Sequence, residues 1–356
     1  MSATIDGHKS QRERGEARAP VLAPTNEERM LKIVRAMNAC AAALLLAVSP
    51  ANADSVRLVA NEPKQMDFGD ITSIPASFGT GEFTFELWIK PDERYPVGTT
   101  GRGTTWQLEN WSDTDIAPYS RVGWWYAGNW LLDGFTRPEG VNTGTETREG
   151  SFALQFYGGG RVRWLFADAD ETATPTGSVW SVQAYPATST PSLLDGRWHA
   201  VTCVRRWNAA GGADLELWID GKQIAVTSTP HRTNMRQWWD KPAHPGDPEF
   251  LGGWALGAEV MTAWDYFFTQ YEDYKGLVDE MRFWSRAKSP LELSRDWRLP
   301  AMAGAPGLAG LFNFDEGAGT TAHDRLLSKA TITFHKTGPL LWADENAPLV
   351  PDPDRK

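Results

Sequence analysis

DGRWHAVTCVRRWNAAGGADLELWIDGKQI, residues 195–224, decides the fold. Two alternating stretches, near His199–Arg206 and Asp214–Ile219, flank Gly211-Gly212, and the second ends in Asp220-Gly221. Asp-Gly after alternating apolar residues signals a tight turn whose two central residues take positive φ. The stretch therefore reads strand, turn, strand, tight turn, strand. Nothing in it is a catalytic motif. Trp198 is expected in the core and His199 in a hydrogen bond. Cys203 shares the phase of Val201, so a buried, inert thiol is expected.

Outward from this hairpin, the same alternation recurs. In Phe83–Lys90, Phe83, Phe85, Leu87 and Ile89 point one way and Thr84, Glu86, Trp88 and Lys90 the other, until Pro91 ends the strand. Ser151–Tyr157 and Arg161–Phe166 form a second hairpin around Gly158-Gly159-Gly160. Strands are also expected at Val56–Leu58, Leu251–Leu256, Gly276–Ser285, Gly310–Gly317 and Thr331–His335. Ser289–Trp297 reads as a short helix, with Ser289 as N-cap, Pro290 at the first helical position and Glu292 at N3. Residues 95–150 and 229–250 are long, Trp- and Pro-rich connections, read as elaborated loops. Residues 300–307 are a linker, and residues 346–356 are expected to be a disordered tail. Short strands, turn punctuation and almost no helix indicate an all-β antiparallel sandwich.

Of the 356 residues, 41% are hydrophobic and 22% charged, a globular composition with length for a sizeable core. There are 18 Trp against 8 Tyr, and every Trp lies after residue 87. Met30–Arg35 is a basic stretch, Ala36–Val48 an apolar run shorter than the ~20 residues that span a bilayer, and Ala51-Asn52-Ala53 a small-residue cleavage site. Residues 1–53 thus read as a secretory signal peptide cut after Ala53, with residues 1–29 an upstream extension of the true start. The expected destination is outside the cytoplasm: secreted, periplasmic or on the cell surface. Cleavage would remove seven basic and five acidic side chains, taking the formal charge from −10 to −12. An acidic surface argues against nucleic acid as a partner. Cys40 leaves with the leader, so Cys203 has no disulfide partner. No later apolar run approaches transmembrane length.

Four segments, in order, resemble the laminin-G-like, concanavalin A-like jelly rolls, in the bacterial branch also likened to pentraxins. They are FTFELWIKP (83–91), DGRWHAVTCVR (195–205), LELWIDGKQIA (215–225) and GLVDEMRFWSRAKSPLEL (276–293). The resemblance implies a two-sheet jelly roll over residues 54–299, with residues 300–345 a linker and strand segment packed on it. It also implies calcium, with Asp67 or Asp279 at the position the family uses. Oxygen-donor clusters such as Asp168 and Asp170 are further cation candidates, since hard cations need several converging oxygens.

Strand phase supplies the binding candidates. Trp88 sits with Glu86, Trp218 with Glu216, and Trp284 with Arg282 and Glu280, each on the side opposite the apolar face. If these strands share a sheet, that face offers indole rings for sugar stacking and charged groups for hydroxyls. The competing reading has inserted loops or the C-terminal segment covering these rings as a second, minor core, because Trp at sheet positions more often packs than binds. Trp124, Trp125, Tyr126, Trp130, Trp238 and Trp239 are candidate loop aromatics for ligand or partner contact. No nucleophile motif, phosphate loop or acid-x-acid-x-acid strand is present, because Trp218 stands between Glu216 and Asp220. The expectation is a non-catalytic module binding a glycan or an extracellular protein. A glycan-cleaving enzyme on the same fold, and a structural or oligomeric surface module, are the alternatives.

Overall fold

In the computed structural model, the residues described are 55–58, 68–71, 73–92, 129–134, 152–157, 161–167, 179–183, 192–236, 254–257, 274–326, 330–335 and 342–350. The expected signal peptide (1–53) and most of the two long connections lie outside them. So do Asp67, Trp124, Trp125, Tyr126, Asp168, Asp170, Trp238 and Trp239.

Sixteen strands and one helix are described: β1 (Ser55–Leu58), β2 (Phe68–Ile71), β3 (Phe83–Pro91), β4 (Asn129–Gly134), β5 (Phe152–Tyr157), β6 (Arg161–Ala167), β7 (Val179–Gln183), β8 (His199–Trp207), β9 (Ala213–Ile219), β10 (Lys222–Thr229), β11 (Trp254–Leu256), β12 (Gly276–Trp284), α1 (Pro290–Arg295), β13 (Leu308–Phe312), β14 (Thr321–His323), β15 (Thr331–His335) and β16 (Trp342–Ala343). They form two antiparallel sheets. The first runs β10-β9-β8-β3-β12-β1-β16, with β13 also paired to β12; the second runs β14-β15-β2-β11-β4-β5-β6-β7. This is the expected all-β sandwich.

The inner faces build one core. Phe83, Phe85, Leu87 and Ile89 meet Val201, Cys203, Leu215, Leu217 and Phe283 from the first sheet and Phe152, Leu154, Trp164 and Trp254 from the second. Asp220 (φ 50°) and Gly221 (φ 73°) both take the left-handed conformation, so β9 and β10 meet in the expected two-residue turn. Ser289 caps α1 in a reciprocal capping box with Glu292.

Five strands escape the sequence pattern: β2, β7, β14 and β16, in stretches given no strand, and β4. β4 lies inside the 95–150 connection yet pairs with both β5 and β11. A bulge between Trp130 and Leu132 explains why β4 does not alternate: Leu131 and Leu132 both reach the core. The segment after residue 300 also does more than pack on the jelly roll. β13 and β16 extend the first sheet, and β14 and β15 extend the second. The expected disordered tail does not begin at 346, because the Ala347 amide donates to Asp279 Oδ2 at 2.9 Å and Ala347 is buried.

Candidate functional site

The expected Trp face exists. β3, β9 and β12 share the first sheet, and Glu86, Trp88, Glu216, Trp218, Arg282 and Trp284 lie on its outer side. One detail of phase differs. Two residues of β12, Glu280 and Met281, oppose the single Leu87 of β3, so it is Asp279 that faces Trp88. Glu280 sits in the bulge at φ 49°.

This face is not presented to solvent. Trp88 is 1% exposed, Trp284 5% and Trp218 7%. Leu293 of α1 packs on Trp218, and Trp297, Ala347 and Leu349 pack on Trp88. The Trp88 and Trp297 rings stack at 5.5 Å with 22° between their planes. The residues expected to hold a sugar are therefore held by the protein itself, and the minor-core arrangement is the one observed. Trp88, stacked on Trp297 and 1% exposed, has no face open to a ligand.

The charges on this face pair with each other. Glu86 accepts from Lys288 Nζ at 2.7 Å and from Trp284 Nε1 at 2.8 Å, and Arg282 NH1 lies 3.7 Å away. Burial pushes the Glu86 carboxyl up, but the two cations and these hydrogen bonds outweigh it and hold it below its ordinary value. Glu216 accepts from Trp218 Nε1 and from Arg206 Nε. Beside this network, His199 is clamped by Asp220 Oδ2 at 2.8 Å on one ring nitrogen and Asp195 Oδ1 at 3.0 Å on the other. Trp198 is half-buried in the outer cluster with Trp88, not between the sheets.

Asp279 does not fit the calcium role that the resemblance implies. Its oxygens accept from the backbone amides of Glu280 and Ala347. Burial, reinforced by the neighbouring Glu280 and Asp315 charges, pushes its carboxyl well above the ordinary range. Among the described residues no three His, Cys, Asp or Glu side chains converge as a metal would need.

The outer side of the second sheet carries a polar row that sequence reasoning missed. Trp130 of β4 pairs with Gln155 of β5, and Gln155 with Arg163 of β6. Arg163 Nε donates to Gln155 Oε1 at 2.7 Å. All three are nearly inaccessible, at 0%, 0% and 2%. Trp130 is thus a strand residue, not a loop aromatic. In the next row Ala255 of β11 pairs with Asp70 on one side and Asp133 on the other. Burial raises the Asp70 carboxyl, partly offset by the His335 charge. The alternation of Phe152 and Leu154 was the available signal: it places Ala153 and Gln155 outward, and an outward Gln beside an Arg at the paired position marks a polar face.

With this geometry in place, comparison with known families decides the assignment. The model of the concanavalin A-like lectin/glucanases superfamily, in its laminin-G-like form, matches residues 132–294. Over these residues, a little under half of the chain, the sequence is similar to that superfamily. No curated protein matches the sequence. Among solved structures, a candidate carbohydrate-binding protein from Bacteroides ovatus is 13% identical (TM-score 0.43), covering 79% of this chain and 58% of its own. The chain therefore spans little more than half of that relative's length. The heptameric SAP-like pentraxin of Limulus polyphemus is 9% identical (TM-score 0.36; 68% of this chain, 81% of that one). The sialidase module CBM40 of Ruminococcus gnavus is 11% identical (TM-score 0.36; 67% and 96%). In this concanavalin A-like sandwich the matched stretch opens inside β4 and ends in α1, so it contains Asp133, Gln155, Arg163 and Ala255 but neither β3 nor Asp70.

Proposed function

We propose that the chain is an exported, non-catalytic binding module whose ligand is a carbohydrate. The observation that supports this reading is the pair of Trp-rich connections that enter the neighbouring strands β4 and β11; the Trp130–Gln155–Arg163 row, at 0–2% exposure, is as closed to a ligand as the Trp88 face. The two connections holding Trp124, Trp125 and Tyr126, and Trp238 and Trp239, lead in sequence into β4 and β11, which are hydrogen-bonded neighbours. Those aromatics are the proposed loop contacts. The similarity of residues 132–294 to a lectin/glucanase superfamily supports the reading. Among the described residues no helix is long and apolar enough to cross a membrane.

A glycan array probed in calcium and again in EDTA tests the reading. Binding that falls at least tenfold in Trp124→Ala or Trp238→Ala, with an unchanged thermal midpoint, supports it. No glycan retained in calcium would sink it. The EDTA arm tests the expected Ca2+, through Asp67, Asp168 or Asp170. N-terminal sequencing of exported protein tests the cleavage site, with Asp54 as the expected first residue.

A further inference from the structure

The cover over the first sheet divides into two unlike parts. Residues 285–299 are tied into the fold by α1 and its cap. Residues 344–350 form no strand or helix, and none of them joins the inter-sheet core. They lie instead in a trough walled by Trp88, Trp198 and Trp297.

Each attachment in that trough is of the kind that grips an extended peptide. Glu345 Oε1 accepts from Lys90 Nζ and from Trp198 Nε1. The Ala347 amide donates to Asp279 Oδ2 at 2.9 Å, and the Ala347 methyl packs on Trp88 and Ala200. Arg298 donates through Nε and NH2 to the Pro348 carbonyl, and its own carbonyl accepts from the Val350 amide. Leu349 packs on the Trp cluster. Pro348 restricts the segment before it binds, which lowers the entropy lost on seating.

We infer that this trough is a peptide-recognition site and that residues 344–350 are its ligand, seated in cis here and able to seat from a second copy of the chain. The determinants are an acidic side chain for Lys90 and Trp198, a small residue with a free amide for Asp279, and a proline-aliphatic pair for Arg298 and the Trp walls. Residues 344–350 satisfy all three, with Glu345 complementary to Lys90, so a second copy of the chain is the partner the trough fits.

The test uses the full chain carrying Glu345→Lys and Ala347→Pro, which set a cation against Lys90 and remove the amide that Asp279 accepts. The probe is a labelled peptide of residues 343–351. The expected result is an unchanged far-ultraviolet spectrum, 1:1 binding of the peptide at least tenfold tighter than to the wild-type chain, and no binding of a peptide bearing the same two substitutions. Intact wild-type chain should compete with the peptide. A folded variant that leaves the peptide free overturns the proposal. Hydrogen exchange on the wild-type chain decides the matter if the variant does not fold. Residues 344–350 should then exchange as one unit at least tenfold faster than β3, and equal protection of the two overturns the proposal.

Discussion

His199 shows how one side chain can make stability depend on pH. Burial disfavours its charged form, but hydrogen bonds and charge from Asp220 and Asp195 outweigh burial and raise its pKa. A raised value means that the folded state holds the proton more tightly than the unfolded chain. The contribution is therefore complete below about pH 6.5, the unfolded value, and fades as pH rises through the folded one. The Asp195 carboxyl shifts the other way. Burial opposes the shift, but bonds from His199 and the Arg197 amide lower it, so its contribution is lost as pH falls through its folded value. Denaturation midpoints measured from pH 4 to 9 should thus decline above about 6.5. His199→Gln should flatten that limb, and an unchanged slope would rule out the clamp. Glu86 offers a second test. Glu86→Gln leaves Lys288 buried without its anion, while Arg282 keeps Glu280 at 2.7 Å, and the expected loss is about 3–5 kcal/mol by urea unfolding. A loss below about 1 kcal/mol, the size of an exposed pair, would show that the network is solvated.

At the scale of elements, the Asp220-Gly221 turn packs the first sheet against Trp297 of its cover. A Cβ on Gly221 would stand 2.4 Å from Trp297 Cδ1, at a backbone φ of 73°. Gly221→Ala should therefore cost at least about 1–2 kcal/mol from the backbone alone, and it should also displace Trp297 from Trp88. A lowered thermal midpoint with increased acrylamide quenching would show both effects. Local rules read this turn, the α1 capping box and the phase of β3, β8 and β9 directly from sequence, because each depends on residues a few positions apart. β2 and β7 were not legible, being short and weakly alternating. β4 was hidden by its bulge, which sets Leu131 and Leu132 side by side toward the core. The bulge at Glu280 likewise moved Asp279 onto the face assigned to Glu280. The Trp face itself was legible, but its cover was not. Strand phase tells which side of a sheet a ring takes, whereas the cover comes from residues 285–299 and 344–350, distant in sequence and without a periodic pattern. The outward polar row at Gln155 and Arg163 was missed because Arg and Gln in a strand look like solvent-facing residues until the pairing aligns them.

For the whole molecule, the matched family region is a subset of the folding unit. A chain ended after residue 299 would lack β13 to β16 and would leave the apolar rows of β12 and β2 unpaired at one edge. Such a chain is expected to unfold without a cooperative transition and to bind a hydrophobic dye at neutral pH. A sharp thermal transition in that shortened chain would show that residues 54–299 suffice.

The pairing of β1 also sets a timetable. Val56 lies between Val278 and Trp342 in the first sheet, so that part of the sheet cannot close until residues near 342 have left the ribosome. Contacts of such long sequence separation fold slowly, and the nascent chain spends most of its synthesis with incomplete sheets. A chain in that state can still be threaded through a translocon. It also exposes unpaired strand edges throughout, so its yield in a cell should depend on chaperones that hold it open rather than on any that speed its closing.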